Sequence, residues 1–101
     1  MSFFKHGITL YECKDYLYTN SLNMRPEIII NEPTHMKLKF KHNNRSITVC
    51  VFQNDGYPIT VDVEDSFFML REPRKTFRTK EKYQTYIFNI LQKIRFLLYT
   101  K

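Results

Sequence analysis

With 101 residues, 43% of them hydrophobic and 16% aromatic, the chain is long enough to bury a core without disulfides or metal and too apolar to be disordered. Two glycines, four prolines, no repeat and no low-complexity stretch exclude linkers and repeat architectures and point to one domain over residues 1–101. The net charge of +6 is uneven: residues 1–70 hold seven Lys/Arg against eight Asp/Glu, and residues 71–101 hold nine against two. Such clustering suits an anionic partner or a solubilising surface.

The opening Met1-Ser2-Phe3-Phe4-Lys5-His6 lacks the apolar run of a signal peptide, and no stretch reaches about 18 apolar residues. Ser2 excludes the myristoylation pattern, and the C-terminus carries no prenylation box. An intracellular protein, cytoplasmic or nuclear, is therefore expected, with its two cysteines, Cys13 and Cys50, as reduced and buried thiols. Richness in Asn, Lys, Ile, Tyr and Phe fits an AT-rich genome, viral or that of a eukaryotic microbe.

Thr9-Leu10-Tyr11-Glu12 has the form of a capping box, in which the hydroxyl and carboxylate satisfy two orphan amides. Ile8 and Cys13 suit the accompanying hydrophobic staple. The spacing predicts a helix over 10–20 that buries Leu10, Cys13 and Leu17 and leaves Tyr16 and Tyr18 off the stripe. Pro26 and Pro33 bracket the β-branched run 27–31, which reads as a short edge strand.

Residues 36–63 sort into three strands. A two-residue turn at Asn43-Asn44 pairs Phe40 with Ile47, Leu38 with Val49 and Met36 with Val51. A three-residue loop at Asn54-Asp55-Gly56 then pairs Val51 with Ile59, Val49 with Val61 and Ile47 with Val63, whereas a two-residue Asp-Gly turn would mix the faces. Nine apolar side chains thus share one face. The other face carries Lys37, Lys39 and Lys41, then Thr48, Cys50 and Phe52, then Pro58, Thr60 and Asp62, as in a sheet with one side in water.

Phe67 to Arg71 is apolar enough for a fourth strand, Glu72-Pro73-Arg74 breaks it, and 74–78 reads as a short strand or ordered loop. From a Thr79 cap the chain reads as a helix to its end, burying Tyr83, Ile87, Ile90, Leu91, Ile94, Leu97 and Leu98. Lys93, Arg95 and Lys101 suit the helix dipole. Phe88, Phe96 and Tyr99 project from the opposite side, so that side is covered by the N-terminal segment, by a partner or by a second copy. The expected fold is α+β, an antiparallel meander of three to five strands with both helices on one face.

His6, His35 and His42 show no ligand spacing, and neither cysteine has a partner at a zinc interval, so no metal is expected. Two glycines cannot build a phosphate-cradling loop. Ser, Cys and His occur without a nucleophile motif. The neighbouring acids Asp62, Glu64 and Asp65 read as a solvated strand end rather than an acid–base pair. These absences predict no enzyme, no cofactor and no small-molecule substrate.

The pattern with positive content is basic residues beside an exposed aromatic. Lys37, Lys39 and Lys41 can neutralise phosphates while Phe52, beside His35 and Pro58, offers a stacking surface for an unpaired base. Arg71, Arg74, Lys75 and Arg78, with Lys80 and Lys82, form a second cluster suited to phosphate. The expectation is a binding module for RNA or single-stranded nucleic acid. The alternative is an interaction subunit that docks or dimerises through Phe88, Phe96 and Tyr99. A membrane role for the C-terminal helix is not expected, because that helix is needed for the core.

The helix–meander–helix order with a basic sheet face resembles the small subunits that bind the Alu part of signal recognition particle RNA. Tyr57-Pro58 is similar to a dipeptide of RWD-like interaction domains, without their second downstream proline. Both resemblances rest on element order and assign no family.

Overall fold

Thr9 starts the first helix as the sequence predicts. The computed structural model describes residues 8–54 and 58–99. In it the Thr9 hydroxyl accepts from the Glu12 amide at 3.1 Å while the Glu12 carboxylate accepts from the Thr9 amide at 3.2 Å. Helix α1 runs Leu10–Ser21 and buries Leu10, Cys13 and Leu17. A single 3-10 turn, Leu22–Met24, ends at Arg25 in the left-handed region, and the chain enters a five-stranded antiparallel sheet. The strands are β1 Glu27–Glu32, β2 His35–His42, β3 Arg45–Phe52, β4 Ile59–Asp65 and β5 Lys75–Phe77, arranged in sequence order. Helix α2, Lys80–Tyr99, closes the fold, with Thr79 as its cap through the Tyr83 and Lys82 amides.

The β2–β3 hairpin has the predicted register, Phe40 against Ile47 and Met36 against Val51, with Asn43 at a φ of 56° in the turn. The β3–β4 register differs. Val51 faces Val61, Val49 faces Val63 and Ile47 faces Asp65, two residues beyond the expected pairing. Proline is the reason: Pro58 has no amide to donate into the ladder, so β4 begins at Ile59, and Thr60 rather than Pro58 stands opposite Phe52. A shift of two preserves parity, so Ile59, Val61 and Val63 still face the core. The expected three-residue loop lies in part outside the described residues.

Both helices cover the inner face of the sheet, and the core joins Leu17, Phe40, Val49, Val61, Ile87 and Ile94, all shielded from solvent. Tyr83, 1% exposed, donates its hydroxyl to the Cys13 carbonyl at 2.6 Å and so ties α2 to α1. Burial raises the Tyr83 hydroxyl pKa well above its usual range and pushes the Cys13 thiol up to about 12. Leu97, expected in the buried stripe, is half-buried. Among the described residues the last turn of α2 holds no basic side chain. Lys93 and Arg95 therefore stand a turn early for the dipole, and Lys101 lies outside the described residues.

Residues 67–71 do not form a strand; they make a turn beyond β4. The cause is Asp65, which is not solvated: its side chain is fully buried. One carboxylate oxygen accepts from the Phe67 amide at 3.0 Å, the other from Met69 and Leu70 at 3.1 and 2.8 Å. An aspartate whose side chain satisfies three amides of one turn offers the backbone an alternative to a ladder, and here that outweighs the strand propensity of Phe-Phe-Met-Leu.

Candidate functional site

The open face of the sheet reads in transverse rows, since directly paired residues share a face. One row runs Glu27, Lys39, Thr48, Glu64; the next Ile30, Lys37, Cys50, Asp62; a third Glu32, His35, Phe52, Thr60, Thr76. The lysines do stand in line, but carboxylates interleave with them, so the face is of mixed sign rather than basic. Asp62 takes the Arg74 guanidinium in two hydrogen bonds of 2.9 and 2.8 Å, and that guanidinium lies 5.4 Å from the centre of the Phe52 ring. Phe52 is thereby covered by Arg74 and is not an open stacking platform. Burial raises the Cys50 thiol pKa, against the lowering effect of nearby Lys37.

Lys37 and Lys39 line a shallow groove of about 820 Å³, together with Ser46, Thr48, Glu64, Phe68 and Arg71. Neither lysine enters an ion pair among the described residues. Lys41 lies outside this groove, as do Lys75, which stands 6.0 Å from the Tyr86 ring, and the exposed Arg78. The fold thus gathers Lys37, Lys39 and Arg71 of the predicted set at the groove, packs Arg74 on Phe52, and leaves Lys41, Lys75 and Arg78 apart.

Beyond the groove stands the turn that Asp65 organises. Arg45 forms a bidentate ion pair with the carboxylate, and its guanidinium lies 5.2 Å from the Phe67 ring. Hydrogen bonds from Arg45, and then from the Phe67 and Leu70 amides, hold the Asp65 carboxyl well below the usual carboxylate range, outweighing the opposing effect of burial. So anchored, the turn presents three apolar side chains to water: Phe67, Phe68 at 74% exposure and Met69 at 67%. Phe68 has a φ of 58°, a region costly for a bulky residue, on the order of 1–3 kcal/mol. Arg71 locks the same residue by donating from Nε to its carbonyl at 3.1 Å.

The turn also forms one wall of a second cleft. Met69, Leu70, Arg71 and Glu72 face Gln92, Lys93, Phe96 and Leu97 of α2 across about 600 Å³. Phe96 is 67% exposed and Phe88 52%. Two of the lining residues are paired, Lys93 donating to Glu72 at 2.9 Å, and Glu72 also accepts from the Tyr86 hydroxyl at 3.3 Å. Tyr99, expected beside Phe88 and Phe96, turns back to the sheet. Its hydroxyl donates to the Lys41 and Met24 carbonyls at 3.3 and 3.4 Å, and its ring packs on His42.

Sequence reading singles out Phe88 and Phe96 but misses Phe67, Phe68 and Met69. The available signal is an Asp-Ser start followed by an apolar run without alternation, which suits an aspartate-capped turn better than a half-buried strand. Among the described residues no group of three His, Cys, Asp or Glu side chains is placed to hold a metal, and no helix is long and apolar enough to cross a membrane. Compared with protein-family models, curated proteins and solved structures, the chain matches none, so the resemblances in element order carry no functional argument.

Proposed function

We propose that the chain is a non-enzymatic interaction module that binds another protein through the apolar patch shared by the 67–70 turn and the outer face of α2. One observation carries this reading: Met69 of the turn and Phe96 of α2, each two-thirds exposed, line one cleft together with Leu70 and Leu97. Scattered exposed apolar residues need no explanation, but a contiguous patch costs solubility and marks interaction surfaces. The turn that completes the patch spends a buried ion pair and a left-handed phenylalanine to hold side chains that contribute little to the core. Such a module acts inside the cell, in cytoplasm or nucleus. The test is affinity capture with the native chain and with Met69→Ser/Phe96→Ser: loss of a specific partner from the variant supports the reading, and equal recovery counts against it.

A second reading, a module for RNA or single-stranded nucleic acid, is favoured by Lys37 and Lys39. They line the open groove beside the hydroxyls of Ser46 and Thr48 and the exposed ring of Phe68. Ammonium groups with an adjacent aromatic are what an unpaired, phosphate-linked base needs. The platform would be Phe68 and not Phe52. Lys37→Glu/Lys39→Glu should then abolish binding to a generic single-stranded RNA with the far-UV CD unchanged, and retained affinity would remove this reading.

A further inference from the structure

Resting on the protein-docking reading, we infer that the partner carries an acidic segment beside its apolar anchor, and that this segment lies in the groove on the open face of the sheet, against Lys37, Lys39 and Arg71.

The cleft and the groove adjoin. Leu70, Arg71 and Glu72 line both, while Met69 lines the cleft alone and Phe68 the groove alone. The turn that Asp65 anchors therefore stands between them. A chain that seats an apolar side chain beside Met69 and Phe96 can cross Leu70 and Arg71 and continue into the groove without leaving the protein surface.

Charge distinguishes the groove from the cleft. Three carboxylates line it, and two are occupied, Asp65 by Arg45 and Glu72 by Lys93. Lys37 and Lys39 enter no ion pair among the described residues. Arg71 gives its Nε hydrogen to the Phe68 carbonyl, a neutral group that leaves its charge unopposed. Three cations thus face one free carboxylate, Glu64. An acidic segment supplies the missing counter-charge.

Glu64 also favours a peptide over a polynucleotide. Lys37 and Lys39 stand two residues apart on β2, about 6.7 Å at the usual strand rise, and Glu64 lies in the transverse row of Lys39. A polynucleotide is charged at every phosphate and brings that charge near Glu64 as well as near the lysines. A peptide sets carboxylates against the cations and a neutral residue against Glu64, so the one free acid selects between the two.

The probes are two labelled peptides with the same leucine-rich half, followed in one by a glutamate-rich half and in the other by a lysine-rich half, and a labelled oligouridylate. Each is titrated by fluorescence polarisation, beside sedimentation of the chain alone. The native chain is expected to bind the Glu peptide about tenfold tighter than the Lys peptide and to lose that margin at high salt. Lys37→Gln/Lys39→Gln keeps much of the half-buried stems. With an unchanged far-UV CD, it is expected to narrow the margin to about threefold or less while both peptides still bind through their leucine half. Met69→Ser/Phe96→Ser is expected to weaken both peptides alike. Equal binding of the two peptides by the native chain, or a margin that salt does not reduce, overturns the inference and leaves the docking reading standing. So does an oligouridylate bound more tightly than the Glu peptide, or a dimer that Met69→Ser/Phe96→Ser dissociates. If neither peptide binds and the chain is monomeric, both fall.

Discussion

Arg45 and Asp65 form a bidentate ion pair between the start of β3 and the end of β4, with the carboxylate wholly out of solvent. Both continue the inward-facing parity of Ile47 and Val63, so the pair caps one end of the core and anchors the exposed turn. Removing one partner leaves a buried charge uncompensated. Arg45→Met is therefore expected to cost about 3–5 kcal/mol in urea unfolding, and the joint change Arg45→Met/Asp65→Leu to cost less.

The same pair sets an acid limit. The Asp65 pKa is lowered on folding, so the unfolded chain binds the proton more readily and stability rises with pH across that interval. The contribution is complete above the unfolded value of about 3.9 and is lost as pH falls below it toward the folded value. A stability profile for the native chain should bend downward there, and the profile of Asp65→Asn should lack this component.

Tyr83 tests the docking of the two helices. Tyr83→Phe removes the hydroxyl that donates to the Cys13 carbonyl while keeping the ring, and should cost about 0.5–1.5 kcal/mol. With its thiol pKa raised to about 12 and no exposure, Cys13 should react with a thiol reagent only on unfolding. Reaction at native conditions would place α1 elsewhere.

Phe68 separates stability from function. At a φ of 58° glycine is the unstrained residue, so Phe68→Gly should leave stability unchanged or raise it by up to about 1 kcal/mol. The same change should weaken binding, whether the ring contacts a protein or a base. A clear loss of stability would show that Phe68 serves the fold rather than a partner.

Much of the frame is legible in the residues. Thr9 and Glu12 announce α1, Asn43-Asn44 sets the first hairpin, and the alternation of Ile47, Val49 and Val51 defines the buried face. The β3–β4 register is harder because parity cannot distinguish two pairings that differ by two residues; the missing amide of Pro58 decides between them. Asp65 is hidden for a different reason. The expected register also sets Arg45 opposite Asp65, but alternation along the strands does not show that the carboxylate is buried and gathers the Phe67, Met69 and Leu70 amides. The site suffers most. Sequence shows that Phe52 is off the core face but not that Arg74 covers it. It shows that Phe67-Phe68-Met69 is apolar but not that one carboxylate lifts it into solvent.

The measurement that bears most directly on the proposed function compares Met69→Ser/Phe96→Ser with Lys37→Glu/Lys39→Glu, reading partner-protein binding and single-stranded RNA binding on each. Met69 and Phe96 are both exposed, so the first variant should keep its unfolding free energy within about 0.5 kcal/mol of the native chain. The account predicts that the first variant loses the protein partner while the second retains it, with no salt-dependent RNA binding by the native chain. Salt-dependent RNA binding that disappears in the lysine variant and survives in the Met69/Phe96 variant would contradict it.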